Sequence, residues 1–317
     1  MFQKVIICLL VILSVSAMSN LQVVMAESYQ LEGGGYYSLE KSDNSDFTLF
    51  GLGVSWFFKE VSMEGGPYAE ADFIQKAGSI SLKGLMGNFE SDEPDGEMEC
   101  DSYMIDAGVK YVFPVVPVFI TIGYELFNMD GDFVLTDFNT DMDIEIMSST
   151  YYGELGYYII DNLAVSAEYQ MEKEETEKGK IEVGGIEYAS ADKEKTDKSG
   201  IGCNFKYVAM IGTGMALNIE AAYTYATSEP EEGDDLINNI YELSADYYIK
   251  PQYGIGALVT MNTGDDKEDA GNTYELSCSV FLTPNVALAG SFGMFKAKDK
   301  DEAEDRKEFN FMILGRI

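Results

Sequence analysis

The stretch between Asn272 and Lys296 constrains the fold most strongly, because apolar residues recur at every second position in two consecutive segments. A period of two is typical of a β-strand with one apolar face and one polar face. Thr283, Pro284 and Asn285 separate the two segments and predict a tight turn. Each segment has about the ten residues that a tilted strand needs to cross a bilayer. We therefore predict a hairpin that presents an apolar face to a membrane.

The same pattern recurs along the chain, with short turns and longer polar loops alternating between the apolar-periodic segments. We count about 14 strands, with both chain ends at the short-turn end, and errors at the boundaries allow 12 or 16. The predicted strands are Ser28–Lys41, Phe47–Phe58, Tyr68–Phe89, Ser102–Phe113, Val118–Phe127, Ser148–Ile160, Leu163–Met171, Gly200–Met210, Met215–Ala226, Ile240–Lys250, Tyr253–Met261, Tyr274–Leu282, Val286–Met294 and Glu308–Ile317. In the third segment the alternation breaks, and a bulge near Ala77 and Gly78, or a strand extending beyond the membrane, would restore it.

An open sheet edge in lipid would leave backbone hydrogen-bonding groups without partners. The strands must therefore close into a barrel if their apolar face meets lipid. The predicted fold class is all-β: one closed antiparallel up-and-down transmembrane β-barrel over residues 27–317, with lipid as its surroundings. The acidic intervals Glu90–Asp101, Asn128–Met147 and Glu172–Ser199 are predicted to be outer loops. The last is the longest charged interval, and a solvated loop is expected there because such charge density could not lie in hydrocarbon, with a strand extension over Ile181–Tyr188 left open as an alternative.

The first 26 residues predict a secretory signal peptide. Lys4 is their only charge, Val5–Val15 is a continuous apolar run, and small residues precede a cleavage site after Ala26, with Ala17 as the second choice. The apolar run is too short for a comfortable helical membrane span. We therefore expect the mature chain to be exported from the cytoplasm.

Composition disfavours several functions. The net charge of −34 repels phosphate backbones, so nucleic acid is not an expected partner. The chain has no histidine, which removes Ser-His and Cys-His catalysis and His-ligated metals, and we expect no enzyme. Cys100, Cys203 and Cys278 are an odd set that fits small hydrophobic side chains better than a disulfide framework.

No cofactor is predicted, but loosely bound divalent cations stay open as an alternative. Carboxylate clusters supply the hard oxygen ligands that calcium prefers. One such cluster is Glu229, Glu231, Glu232, Asp234 and Asp235. A solvated, repulsive loop explains the same residues without any ion.

Charged residues on the polar face of the strands are the candidate functional residues. This face would line the lumen of a closed barrel, and most of its charges are acidic. The pore-lining candidates are Asp106, Lys110, Glu125, Glu154, Glu168, Lys206, Glu220, Glu242, Asp246, Lys250 and Glu275. In a water-filled lumen they would favour cations. Alternatively, Lys206 and Lys250 form salt bridges with their acidic neighbours and leave no open pore.

The whole of Glu27–Ile317 resembles a Gram-negative outer-membrane β-barrel, within the porin-like group of such barrels. The resemblance rests on the signal peptide, the alternating strands, the turn-then-strand phrases DNLAVSAEY (161–169) and TPNVALAGSFG (283–293), and the final FNFMILGRI. Phe309, Phe311 and Ile313 alternate as in the family's last strand, but Ile317 stands where the family has a terminal aromatic residue.

The resemblance implies a location in the outer membrane and passive transport. We expect a porin-like channel for small, preferably cationic or neutral solutes. The first alternative is a non-conducting structural or adhesive barrel that acts through acidic surface loops. The second is a secreted soluble β-protein, which the apolar belt disfavours because it would aggregate in water. The sequence leaves the transported solute and the oligomeric state open.

Overall fold

The computed structural model describes residues 28–42, 44–93, 96–135, 140–183, 186–189, 193–212, 214–231, 235–264, 270–298 and 305–317. The predicted signal peptide lies outside these residues. The strands in the described ranges are β1 (Ser28–Lys41), β2 (Ser45–Ser62), β3 (Ser79–Glu93), β4 (Gly96–Val112), β5 (Val118–Leu135), β6 (Thr140–Ile160), β7 (Leu163–Val183), β8 (Ile186–Ala189), β9 (Lys193–Gly212), β10 (Met215–Pro230), β11 (Leu236–Lys250), β12 (Tyr253–Gly264), β13 (Gly271–Thr283), β14 (Val286–Ala297) and β15 (Arg306–Arg316). A 3₁₀ turn (Tyr68–Glu70) and a one-turn helix α1 (Ala71–Ile74) lie between β2 and β3.

The strands form one antiparallel sheet that closes on itself. Closure occurs where β1 pairs with β15, with Glu32 opposite Arg316 and Lys41 opposite Lys307. The short β8 pairs with the end of β7, and β9 continues the barrel wall beside β7. Of the described strands, 14 therefore form the closed barrel, as the sequence predicts.

Short turns and both ends of the described chain lie at one end of the barrel, which we call the turn end. The tight connections at Asp161–Asn162, Pro251–Gln252 and Pro284–Asn285 agree with the turns predicted from sequence. The opposite end, which carries the longer acidic connections, is called the loop end. Because alternate connections lie at opposite ends, the strands run up and down without crossovers.

A belt of apolar side chains covers the outer face of the barrel. Outward-facing residues that are more than half exposed include Leu82, Ile122, Leu155, Ile201, Leu243 and Leu276. Exposed aromatic residues border the belt, as Tyr103 and Tyr111 do on β4. These two tyrosines are eight residues apart, about 27 Å of strand, which suits a tilted crossing of a ~25 Å apolar band. The height of the belt therefore matches the thickness of the apolar layer of a membrane.

Among the described residues, no helix is long and apolar enough to span a membrane. The three cysteines among the described residues are free thiols: Cys100 is buried, whereas Cys203 and Cys278 are exposed. No disulfide joins them within the described residues, and their role as small hydrophobic side chains stays a prediction.

The prediction of long solvated loops is wrong for much of their length, because the strands continue past the membrane band. β7 extends to Val183 and β9 begins at Lys193, so most of the interval predicted as a loop is sheet. Lys198 forms ion pairs with Glu172 at 3.4 Å and Glu174 at 2.7 Å across this extension. Opposite charges on neighbouring strands stabilise a water-exposed sheet. In the sequence, the same run of charged residues resembles a loop.

Leu276 and Glu275 test the assignment of faces. Leu276 is 66% exposed on the outer face, and Glu275 lines the lumen. We expect Leu276→Arg to lower the free energy of unfolding by about 2 kcal/mol, because it places a charge against lipid. Glu275→Lys should fold with little loss. Urea unfolding in lipid vesicles measures both, and equal losses would contradict the assignment.

Candidate functional site

An insert between β2 and β3 occupies the turn end of the barrel. This turn-end insert comprises residues 63–78 and contains the 3₁₀ turn and α1. The prediction of a continuous strand over Tyr68–Phe89 is wrong for its first half, since β3 begins at Ser79. The irregular alternation near Ala77 reflects a change from helix to strand, not a β-bulge.

Local sequence explains the shape of the insert. Gly65 has a φ of +86°, which lets the chain turn away from β2. After Pro67 the chain enters the helical turns, which end where Lys76 adopts a left-handed φ of 51°. The Ala77 amide then donates to the Asp72 carbonyl at 2.9 Å, a Schellman-type closure of the helix.

Two apolar clusters hold the insert on opposite sides. Ala71 packs in a buried cluster with Tyr29 and Val61 on β1 and β2. Phe73 packs in a second cluster, whose other buried members come from consecutive wall strands: Phe119, Tyr158, Ala164, Val208, Ala216 and Tyr248. The insert therefore reaches from its own strands across the lumen to the far wall, and it fills the turn end.

A buried ion pair joins the insert to the far wall. Glu70 is 5% exposed, although it is a carboxylate. It accepts a hydrogen bond from the Tyr248 hydroxyl at 2.8 Å and forms an ion pair with Lys206 at 2.8 Å. Lys206 also pairs with Glu220 on β10 at 2.8 Å and lies 5.0 Å from the centre of the Phe73 ring. We call Glu70, Lys206, Glu220 and Tyr248 the latch.

Arg316 of β15 anchors the other side of the insert. Its guanidinium donates to the Tyr68 carbonyl at 2.8 Å and to Glu32 at 2.7 Å. The same group lies over the rings of Tyr29 and Phe281, at 4.4 and 4.9 Å. Arg316 therefore joins the closing pair of strands to the insert.

Weaker contacts complete the attachment. Lys76 pairs with Asp161 in the β6–β7 turn at 2.8 Å, and this hydrogen bond lowers the pKa of the exposed Asp161 carboxyl. The Tyr68 amide donates to the Pro251 carbonyl at 3.0 Å. Lys59 of β2 donates to the Gln75 carbonyl. The insert is thus tied to turns on both sides of the barrel.

A cavity of about 500 Å³ lies in the lumen against the insert. Phe73 and Lys206 contribute to its lining, so the insert and the latch border it directly. Seven of the predicted pore-lining residues meet at this cavity: Lys110, Glu154, Lys206, Glu220, Glu242, Asp246 and Glu275. The lining therefore contains five carboxylates and two ammonium groups. Their role in transport stays a prediction.

Three other candidates share inward positions but do not line the cavity. Asp106 lies opposite Glu125 on the neighbouring strand and accepts a hydrogen bond from Tyr152 at 2.8 Å. Glu168 accepts from Asn204 at 2.9 Å and from Thr224 at 3.2 Å.

Lys250, the remaining candidate, is exposed at the end of β11. Within the described part of the chain it forms no ion pair, so the predicted salt bridges hold for Lys206 alone.

Sequence reasoning missed two inward-facing charged residues, Glu70 and Lys83. Glu70 was missed because the segment around it was assigned to a strand, although Pro67 before it and Gly78 after it are signals for a short helix. Lys83 was missed because the alternation breaks within the segment predicted as one strand over Tyr68–Phe89. It lies opposite Asp106 and adds a cation to the inner face.

The acidic cluster proposed for divalent cations lies partly outside the described residues. Glu232 and Asp234 are the two members of the cluster that lie outside the described residues. In the described part of the chain, no group of three or more acidic or thiol side chains is arranged to hold a metal ion.

Comparison with known proteins places this barrel in a family. A family model with the description "Putative general bacterial porin" matches residues 2–311. The chain belongs to this porin family. It is a β-barrel of the Gram-negative outer membrane, as the sequence resemblance implies. No curated protein sequence gives a significant match to this porin.

Solved structures share the fold of this porin at low sequence identity. The Acinetobacter baumannii outer membrane protein Omp33 is 17% identical with a TM-score of 0.57, over 92% of this chain and 99% of that chain. The CymD monoaromatic hydrocarbon channel is 8% identical with a TM-score of 0.56, over 91% and 89%. The translocator domain of the autotransporter NalP from Neisseria meningitidis is 9% identical with a TM-score of 0.54, over 95% and 93%. At these identities the likeness concerns the fold alone.

Proposed function

We propose that this porin is a passive channel for small, preferably cationic or neutral solutes. The lumen cavity carries the proposal, because five carboxylates and only two lysines line it. Lys206 is already paired with Glu70 and Glu220, so the remaining charge of the lining is strongly acidic. Carboxylates around a water-filled space raise the local concentration of cations and repel anions.

The insert sets a condition on transport. It fills the turn end through Phe73 and the latch, so a solute that reaches the cavity can leave toward that end only if the insert moves. The channel we propose is therefore gated, with displacement of the insert as the opening step. No catalytic chemistry is assigned to the chain, which has no histidine.

Ion selectivity tests the acidic lumen. In planar bilayers under a salt gradient, the reversal potential of the native protein is expected to show a preference for cations. Glu242→Gln with Glu275→Gln should lower the cation-to-anion permeability ratio about twofold to fivefold, because two of the five lining carboxylates lose their charge.

Glu99→Gln with Glu229→Gln is the matched control. Both residues are exposed toward the loop end and do not line the cavity. The control removes the same charge and should leave selectivity unchanged. Equal effects of the two double variants would assign selectivity to the overall charge of the protein, and anion preference in the native protein would refute the acidic-lumen channel.

The second candidate function is a non-conducting structural or adhesive barrel. The buried insert favours it, because a well-packed turn end can serve as a permanent closure. A folded, inserted protein that shows no conductance, even after the insert is removed, would support this candidate over the channel.

A further inference from the structure

The cavity carries opposite charges on opposite walls. Lys110 lies on β4, 4.9 Å from the centre of the Phe119 ring, and within the described residues no carboxylate lies within ion-pair distance of it. Glu242 and Glu275 likewise have no cationic partner among the described side chains. These groups differ from Lys206 and Glu220, which neutralise each other.

Barrel topology places these charges across the lumen from each other. Around the ring of 14 described strands, β12 is seven strands from β4 in either direction. β12 is therefore the strand diametrically opposite the one that carries Lys110. Glu242 and Asp246 come from β11 and Glu275 comes from β13, the two strands that flank β12. All four residues line the same cavity.

We propose that the cavity is a binding site for small zwitterions, which carry one ammonium and one carboxylate group. The carboxylate of such a solute would face Lys110, and its ammonium would face Glu242, Asp246 and Glu275. A simple cation gains only the acidic wall and is repelled by Lys110. An anion meets a lining with more carboxylates than lysines.

The size of the cavity fits this class of solute. A volume of about 500 Å³ lies within the usual range for small-molecule sites, and it corresponds to a sphere roughly 10 Å across. Ser166, Asn204, Ser244 and Ser277 add neutral hydrogen-bonding groups to the lining. The inference rests on the proposed function in one respect: it names the solute class of that same lumen.

Four probes of matched size test the site. They are 4-aminobutanoate (zwitterion), 4-aminobutanamide (cation), succinamate (anion) and succinamide (neutral). Saturation-transfer NMR with the folded protein in detergent measures binding, and uptake into proteoliposomes measures passage. We expect 4-aminobutanoate to bind about threefold to tenfold more tightly than each of the other probes.

Variants assign that preference to residues. Lys110→Gln should remove the advantage of the zwitterion over the cation, and Glu242→Gln with Glu275→Gln should remove its advantage over the anion. Lys83→Gln is the matched control, since Lys83 lies on the adjacent strand β3 and does not line the cavity. Heat-modifiable electrophoretic mobility checks that each variant is folded.

The two readouts separate this inference from the channel. Preferential binding without uptake, even after the insert is removed, would keep the site and refute the channel. Uptake without preferential binding would keep the channel and overturn the site. The site is also overturned if no probe binds, or if the zwitterion preference survives Lys110→Gln in a folded variant.

Discussion

Removing the turn-end insert is expected to open the barrel. When residues 66–76 are replaced by a short Gly-Ser linker, the single-channel conductance should rise roughly fivefold or more, since a 14-stranded barrel without a plug encloses a water-filled passage. Phe73 and its partners currently fill that space at the turn end. Planar-bilayer recording of the refolded protein measures the effect.

A point variant of the latch should open the same gate without deleting a segment. Glu70→Gln removes the ion pair with Lys206 and weakens the hydrogen bond from Tyr248. A buried charged hydrogen bond contributes about 1.5–3 kcal/mol, so the ratio of open to closed protein should rise roughly tenfold or more. Channel open probability and proteoliposome uptake report this ratio.

Asp72→Asn is the control for the latch variant. It removes the same charge from the same short helical segment, and the Asp72 side chain makes no hydrogen bond or ion pair with the other described residues. It should leave the open probability unchanged.

If excision of the insert leaves a folded barrel with unchanged conductance, the insert does not gate the lumen.

Arg316→Gln is expected to cause the largest loss of stability among single substitutions at the closing strands. Arg316 is 6% exposed, and its replacement leaves Glu32 and the Tyr68 carbonyl without their cationic donor. Breaking a buried ion pair by removal of one partner costs about 3–5 kcal/mol, and we expect about 3 kcal/mol because Glu32 is partly exposed. Urea unfolding in lipid vesicles measures the change.

Arg306→Gln is a matched control in the same pair of strands. Arg306 also pairs with a glutamate of β1, Glu40, but at 3.3 Å and with both side chains about one third exposed. Exposed pairs contribute about 0–1 kcal/mol, so the control should lose little stability. Adding Glu32→Gln to Arg316→Gln should recover part of the loss, since it removes the unpaired buried charge. Equal losses for the two arginine variants would show that burial does not decide the contribution of Arg316.

Periodicity in the sequence predicts most of the barrel because strand faces are a local property. The alternation around Leu276 and Glu275 assigns one side chain to lipid and the next to the lumen, and no distant residue is needed for that assignment. The same local rule places Glu242 and Asp246 on the inner face. Turn residues such as Asp161 and Asn162 also predict the connections between strands from local sequence alone.

The acidic intervals show where the local rule fails. Around Glu172 and Lys198, successive residues are charged, so a strand there would have charges on both faces. A strand that crosses lipid needs one apolar face, and the sequence pattern therefore suggests a loop. These residues lie beyond the membrane band, where both faces are wet and charge pairs join the strands. The sequence alone does not mark where the membrane ends along a strand.

By itself, the sequence determined most of the strands and their faces, because each depends on neighbours along the chain. Tertiary structure decided that residues 63–78 fold into the barrel, that Glu70 pairs with Lys206, and that Lys110 lies across from Glu242. These contacts join segments that are far apart in sequence, and closure of the barrel brings them together. Which carboxylates are neutralised and which stay free therefore depends on the closed fold.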